Sequence, residues 1–500
     1  MHHFRTLLRD SLTVLTPCWQ CRGMRLIWMM MVVVAAACSQ PNPVVCCSSP
    51  ADCNSIGASE QTRPCLDGFV CIAHECANAP PADAGPVCTI DSDCPTATPH
   101  CTNNTCVQCV SSDQCAASVP VCDQATDTCR ACVADTDCGS TVCDSSNGTC
   151  VAEPKILYAS STGGDGSACT HADPCSIAHA IDSVDSAHTI VRMLPGDYTT
   201  NVTITGKTLW LDGAGATLTA GSTTNAMEIN NGAHVRVTGL DIVNQNTGGS
   251  NGTAIRCEAI ASTDVTPVLD LDGVSVDTSQ FGLFLVQCTV SATRSHFHVR
   301  STGTASVYAA GPTSVSIDRC VFDGGDGVQA IQNSTVSVSN SLVENMTGPH
   351  GALLGYEFYI GVGNHSAPGT LFASFVTLVN APLICSDGIP SCLGGPTLTS
   401  AWGACIDNSI ITATAGNAVT GTGCVLNYSL AFPQSAALTG AHNLTSGDPR
   451  FVDPASNFSL SAASPAIDTA DPAATVMVDL VGTPRPQGVR DDLGAYEYKP

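Results

Sequence analysis

Lysine is almost missing from this 500-residue chain: only Lys155, Lys207 and Lys499 occur, against a formal net charge of −25. Charged residues of every kind reach 12% and aromatics 5%. A chain this poor in cations has little with which to gather phosphates or anionic headgroups, which argues against nucleic acid and charged lipid surfaces as partners. Long apolar runs are missing as well. The one extended run, Leu26–Ala37, has twelve residues, short of the ~20 that a membrane-crossing helix needs. What is abundant is glycine, 44 residues, and cysteine, 30 residues. The first suits turn-rich β structure. The second belongs to an oxidising compartment, since so many thiols are unusual in a reducing cytosol. Five hundred residues make two or more domains the expectation.

The apolar run follows Met24 and Arg25 and ends in small residues before Cys38, the layout of a secretory signal over residues 1–37 with Met24 the expected start. Small residues directly before a cysteine resemble the bacterial lipobox. That resemblance implies diacylation of Cys38 and a chain held at the outer membrane or cell surface through an N-terminal lipid alone.

Residues 106–132 carry two CxxC pairs, Cys106/Cys109 and Cys129/Cys132, spaced like the halves of a structural zinc site. A repeat explains them better. Cys88, Cys94, Cys101 and Cys106 form one four-cysteine unit; Cys109, Cys115, Cys122 and Cys129 form the next; Cys132, Cys138, Cys143 and Cys150 form a third. Each unit opens with an acidic or polar "DSDC", "SSDQC" or "DTDC", and the CxxC pairs are the seams between units. No His falls between Cys101 and Cys150, and a single zinc ribbon leaves Cys115 and Cys122 unused. Units this short cannot bury a core that offsets chain entropy, so two disulfides in each are expected, with the pairing open. The region is bounded at 88–151. Residues 38–87 hold a degenerate unit and a Pro/Ala linker, "ANAPPADAGP". The units resemble Cys-rich modules of secreted bacterial proteins likened to the Dickkopf N-terminal module, which implies a stalk or binding surface without chemistry.

From Lys155 an alternating pattern takes over: apolar, apolar at +2, small or apolar at +5, apolar at +7. Copies start at Val235, Leu269, Val290, Val315, Val336, Leu371, Ala404 and Cys424, with weaker ones at Thr189 and Leu209. Period-two alternation marks half-buried strands, and the shift from +2 to +5 marks a bend that resets parity. The bend falls on Gly239, Gly273, Asn340 and Asn408, residues that tolerate left-handed φ. A third short strand precedes most copies, as in "TAIRC", "GLFLVQ" and "GVQAIQ". Three strands every 20 to 35 residues predict a parallel β-solenoid of about ten coils over 155–447.

Here the chain resembles the right-handed parallel β-helix family of pectate-lyase-like proteins. "YASSTGGDGSACTHADPCSIAHAIDSV" (158–184) is similar to that family's opening strand, Gly/Asp loop and short capping helix, with Cys169 and Cys175 expected to staple the loop. "DPRFVDPASNFSLSAASPAID" through "DLVGTPRPQGVRDDLGAYEY", residues 448–498, is similar to the module called choice-of-anchor domain Q. That module usually precedes a C-terminal sorting signal; none follows here, so the anchor is expected at Cys38. The fold class expected is therefore all-β: a right-handed parallel β-helix with a short N-terminal capping helix, preceded by small disulfide-rich repeats. Lipidation of Cys38 leaves an odd number of exported cysteines, and Cys320, inward-pointing between Ser295 and Ser341, is the expected free thiol.

The resemblance implies two chemistries for enzymes of this fold: Lys- or Arg-assisted lyases and Asp-based hydrolases. Neither motif is present. "FDGGDGV", with Asp323 and Asp326, comes nearest and reads as a Gly/Asp turn. No catalytic residue and no metal ligand set is assigned, and Ca²⁺ at an acidic turn is the one cofactor left open. The candidate ligand patch comes from "ATRSHFHVR". Ala292, Ser295, Phe297 and Val299 point inward, leaving Arg294, His296, His298 and Arg300 outside, with Arg319, Asp318 and Asp323 on the next coil and Asp272 and Asp277 on the coil before. Asp468, Asp479, Arg485, Asp492, Gly494 and Glu497 are expected to pin the last coil. The reading is a monomeric, surface-tethered, non-catalytic β-helix whose partner is a glycan or cell-envelope polymer; the alternative is a polysaccharide lyase or glycoside hydrolase.

Overall fold

The computed structural model describes residues 88–500 except 214, 222–223, 247–251, 260–264, 349–350, 357–368, 386–403 and 422. It also describes the backbone of four short strands, Val45–Cys46, Thr62–Arg63, Phe69–Ile72 and Glu75–Asn78. The signal segment, Cys38 and most of the degenerate Cys-rich unit lie outside the described residues. The chain divides into two compact units, Met1–Val110 and Ser111–Pro500.

In the first unit the repeat from Cys88 to Cys106 is a hairpin, His100–Thr102 against Thr105–Val107, clamped by Cys88–Cys101 and Cys94–Cys106. The third repeat, in the second unit, has the same first-to-third and second-to-fourth pairing, Cys132–Cys143 and Cys138–Cys150. The middle repeat carries Cys115–Cys129, and Cys109 and Cys122 are each disulfide-bonded. Staples, not zinc, therefore occupy the CxxC seams. The acidic motif has a local purpose. Asp91 accepts the backbone N–H of Cys101 at 2.8 Å, and Asp135 accepts that of Cys143 at 2.8 Å. Two residues on, Asp93 and Asp137 accept the N–H groups of Thr89 and Val133, both at 2.8 Å, closing the turn before each short 3₁₀ segment.

Beyond Lys155 the described residues form three parallel sheets of eleven, ten and seven strands; the first two extend to Val425–Asn427 and Leu430–Phe432, and the third ends at Leu353–Tyr356. Each coil visits them in turn, as in Thr289–Thr293 on the first face, His296–Val299 on the second and Ala305–Ala310 on the third. The sequence pattern sets the register. Leu209, Val235, Leu269, Val290, Val315, Val336 and Leu371 lie side by side on the first face. All seven point into one continuous core. Strand Ile156–Gly164 starts the first face, Cys169–Cys175 closes the loop after it, and helix Ile177–Asp182 follows. Ser176 caps that helix by accepting the His179 N–H at 3.1 Å, and Ile177, Ala180 and Ile181 are its buried side.

From Gly239 onward each described coil turns between the first and second faces on one left-handed residue. Gly239, Gly273, Asn340 and Asn408 take φ of 46–64°, and so do Arg294, Arg319, Phe375 and Tyr428 at the equivalent positions. A non-glycine residue there costs roughly 1–2 kcal/mol. A ladder of backbone hydrogen bonds from coil to coil offsets it, such as Arg294 N–H to Asp318 O and Arg319 N–H to Ser339 O, both 3.1 Å. The next residue inward forms a second ladder: Ser295 Oγ accepts the Val274 N–H and Ser341 Oγ accepts the Cys320 N–H, each at 3.1 Å. Cys320 occupies one rung. It is the one free cysteine among the described residues, is fully buried, and that burial pushes its thiol up to about 12. Two further disulfides, Cys257–Cys288 and Cys385–Cys424, tie neighbouring coils.

The C-terminal segment closes over the corner. Arg485 pairs with Glu497 at 2.9 Å, both side chains having no exposure, and donates to the carbonyls of Asp492 and Gly494 at 2.9 and 2.7 Å. Its guanidinium lies 4.6 Å from the centroid of Phe375, the aromatic corner residue. Ala495 N–H to Thr377 Oγ1 (2.8 Å) and Asp471 N–H to Asn408 Oδ1 (2.7 Å) complete the attachment. Asp492 and Asp479 accept the N–H groups of Asp468 and Glu497 at 2.8 and 3.0 Å. All of the terminal residues singled out in the sequence thus work at this joint.

Candidate functional site

Strand alternation places His296 and His298 on the outer side of the second face, with Phe297 and Val299 buried between and beyond them. Parallel register then aligns four chemistry-bearing side chains across successive coils: Asp277, His298, Asp323 and Glu344. His298 Nδ1 lies 2.7 Å from Asp323 Oδ1, and His296 Nε2 lies 3.4 Å from the same oxygen. The hydrogen bond to Asp323 raises His296 above the ordinary imidazole value. Burial works to raise Asp323, but its bonds to His296 and His298 outweigh that and hold the carboxyl low. Burial, and then the charge of Asp323, raise Glu344.

The arginines of the patch stand apart from this centre, each committed to a carboxylate. Arg294 donates Nε–H to Asp272 at 2.9 Å and also donates from Nη2 to its second oxygen. Arg300 pairs with Asp277, and Arg319 donates to Asp318 at 2.7 Å. Asp318 also accepts Ser339 and Asn340, both at 2.9 Å. The structure therefore splits the patch in two: Arg294 and Arg319 sit at the corner with their own aspartates, and the histidines converge on Asp323. Asp326, the other carboxylate of "FDGGDGV", turns inward and is fully buried beside Gln329.

Two clusters escaped sequence reasoning. At the first, the third Cys-rich repeat packs on the first face, with Val142 against Ile156, Tyr158 and Ile190. Arg192 donates to the Thr141 carbonyl at 2.6 Å and stands 3.4 Å from Asp135 and 3.8 Å from Asp212. Asp212 is buried; Oδ1 accepts Thr238 at 3.0 Å while Oδ2 has no donor. Burial, and then Asp135 beside it, push this carboxyl up to about 7. Next to it a cleft of about 370 Å³ is lined by Trp210, Arg236, His234, Asp270, Asp144 and Lys155. Arg236 covers the Trp210 ring at 4.3 Å and reaches Asp144 at 3.2 Å. The second cluster is on the third face, where Phe284 and Tyr308 stack at 5.0 Å and Arg256 lies over Phe284 at 5.2 Å. An aromatic at an outward +1 position, as in "LFLV" and "SVYAA", is the one signal that could have marked it.

No family model matches the chain, and no curated protein matches it. Among solved structures it is similar to the pectate lyase Pel9A at 13% identity and a TM-score of 0.44, over 70% of this chain and 98% of that one. A rhamnogalacturonan lyase is matched at 14% identity and a TM-score of 0.31, over 60% and 91%. The Dettilon tailspike protein is matched at 10% identity and a TM-score of 0.32, over 60% and 64%.

Proposed function

We propose that this chain is an exported, lipid-tethered β-helix that binds a neutral glycan of the cell envelope and displays it, or is displayed on it, without cutting it. The carrying observation is the pairing of Arg294, Arg300 and Arg319 with Asp272, Asp277 and Asp318. A lyase or hydrolase acting on an acidic polymer needs cations free to hold carboxylates and groups within hydrogen-bond reach of the bond to be broken. Neutralised pairs supply neither, and a net charge of −25 repels such polymers.

The ligand class follows from the first face. Thr289, Ser314, Thr335 and Thr370 form one outward column. Ser291, Ser316 and Ser337 form the next, which continues through Phe372, 40% exposed, to Cys405. Flat rows of small hydroxyls beside an exposed ring suit an uncharged sugar polymer. Affinity electrophoresis is expected to show retardation by a neutral polysaccharide and weaker retardation of Phe372→Ala. Incubation with acidic and neutral polysaccharides, with and without Ca²⁺, is expected to yield no new reducing ends and no unsaturated products. Cleavage that disappears in Arg294→Ala or Arg319→Ala overturns the reading in favour of an enzyme.

Tethering rests on Cys38 behind its apolar run. Wild-type protein is expected in the membrane fraction with a fatty-acid label, and Cys38→Ala in the soluble exported fraction without one. Identical fractionation of the two, with no label on the wild type, removes the lipid from the proposal.

A further inference from the structure

We infer that the cleft beside Trp210 is an end subsite, which takes the terminal residue of a neutral glycan whose chain runs away from it along the first face. The inference rests on the glycan reading and adds to it a fixed place for the chain end. Parallel register puts Ile156, Ile190, Trp210, Arg236, Asp270 and Ser291 in one outward column. It is the column that goes on to Ser316, Ser337 and Phe372. Its character changes along its length. Ile156 and Ile190 are buried, because Val142 and Val151 pack over them. Trp210, Arg236, Asp270 and Ser291 are half-buried, and Ser316, Ser337 and Phe372 are exposed. A polymer lying on the hydroxyls therefore meets a wall at Ile190. Six coil-to-coil steps separate Trp210 from Phe372. At about 4.8 Å per step, a track of about 29 Å leads into the cleft.

The chemistry of the cleft suits an uncharged sugar. Its volume of about 370 Å³ lies in the range of small-molecule sites. Its charges cancel: Lys155 and Arg236 stand against Asp144 and Asp270, with histidine counted neutral. A sugar hydroxyl both donates and accepts, so it calls for donors and acceptors side by side. Arg236 is the fixed donor, lying 4.3 Å over Trp210 and giving an Nη1–H to Asp144 at 3.2 Å. Asp144 is itself oriented by Ser146 and Asn147. The other N–H groups of Arg236 have no acceptor among the described residues. Asp270, next to Arg236 in register, is the acceptor: it is 43% exposed, and its one partner among the described residues is His234 at 3.3 Å. Lys155, at the end of the turn Glu153–Lys155, has no carboxylate partner among the described residues and supplies a second donor. Trp210 gives its N–H to Thr238 at 2.8 Å and so offers the ligand hydrocarbon alone.

The test is calorimetric titration of the exported chain with linear glucan, mannan and galactan, each as a series from trisaccharide to long polymer. For the glycan that binds, one protein per chain is expected at every length, because a chain has a single end of the kind the cleft accepts. Affinity is expected to rise with length until the track is filled and then to level off. Thr208→Trp fills the cleft from an exposed position and is expected to abolish trisaccharide binding. Arg236→Gln and Asp270→Asn are each expected to weaken it about tenfold, the loss of one hydrogen bond to a charged group. Thermal melts equal to wild type verify the fold of each variant. Stoichiometry that climbs with chain length, or unchanged binding in Thr208→Trp, overturns the end subsite. If Phe372→Ala still weakens that binding, the glycan reading stands without it. Absence of binding to all three glycans overturns both.

Discussion

Replacing Arg485 with Met is expected to destabilise the C-terminal segment by about 3–5 kcal/mol, the loss typical of removing one partner from a buried ion pair. Arg485 and Glu497 are both fully buried, and the guanidinium also holds two carbonyls and covers Phe375. Methionine fills some of the volume but leaves Glu497 charged and without its cation. Burial alone already disfavours that charge, holding the Glu497 carboxyl above its usual value. The consequence should be local. Limited proteolysis is expected to cut first within residues 448–498 while the coils before Leu371 stay protected. The double replacement Arg485→Met with Glu497→Leu is expected to recover part of the loss, because no buried charge is then stranded. Equal protease resistance in Arg485→Met and wild type would show that the joint does not depend on the pair.

Asp212→Asn is expected to raise the melting temperature at pH 8 and to leave it unchanged below pH 4. Asp212 sits where the third Cys-rich repeat meets the first face, with an oxygen that has no donor and Asp135 beside it. Two carboxylates are acceptors only, so a proton must lie between them for a bond to form. The folded-state value of about 7 stands above the ordinary aspartate value of 3.8, so the folded form binds the extra proton more tightly than the unfolded chain does. Stability from this group is fully present below the unfolded value, falls as pH rises between the two, and stays reduced above the folded value. At about 1.36 kcal/mol per pH decade, the deficit by pH 8 is on the order of 2–4 kcal/mol. An asparagine amide donates to Asp135 permanently, so the gap between variant and wild type should open from pH 4 to 7 and then stay constant. A gap that is the same at every pH refutes the shared proton.

Both predictions concern joints, and joints were the least legible part of the sequence. The coils themselves were legible to the residue. Alternation with a parity shift put Val235, Leu269, Val290, Val315, Val336 and Leu371 in one register, and the structure pairs them so. Cys320 as the free thiol followed from the same pattern. The corner was legible where glycine or asparagine marked it and illegible at Arg294, Arg319, Phe375 and Tyr428, whose residue types do not advertise a positive φ.

Sequence by itself determined the solenoid, the disulfide repeats and the outward direction of Arg294, His296, His298 and Arg300, because each depends on periodicity along one strand or within one short loop. Tertiary structure decided which charge meets which. Residues 22 to 26 apart become neighbours only when coils stack, and loops of unequal length between coils hide that spacing from a linear reading. Stacking gave Arg294 to Asp272, joined two histidines to Asp323 and buried Asp212 against Asp135. Paired charges act differently from free ones because a neighbouring opposite charge and the loss of water together set what each group can hold or release.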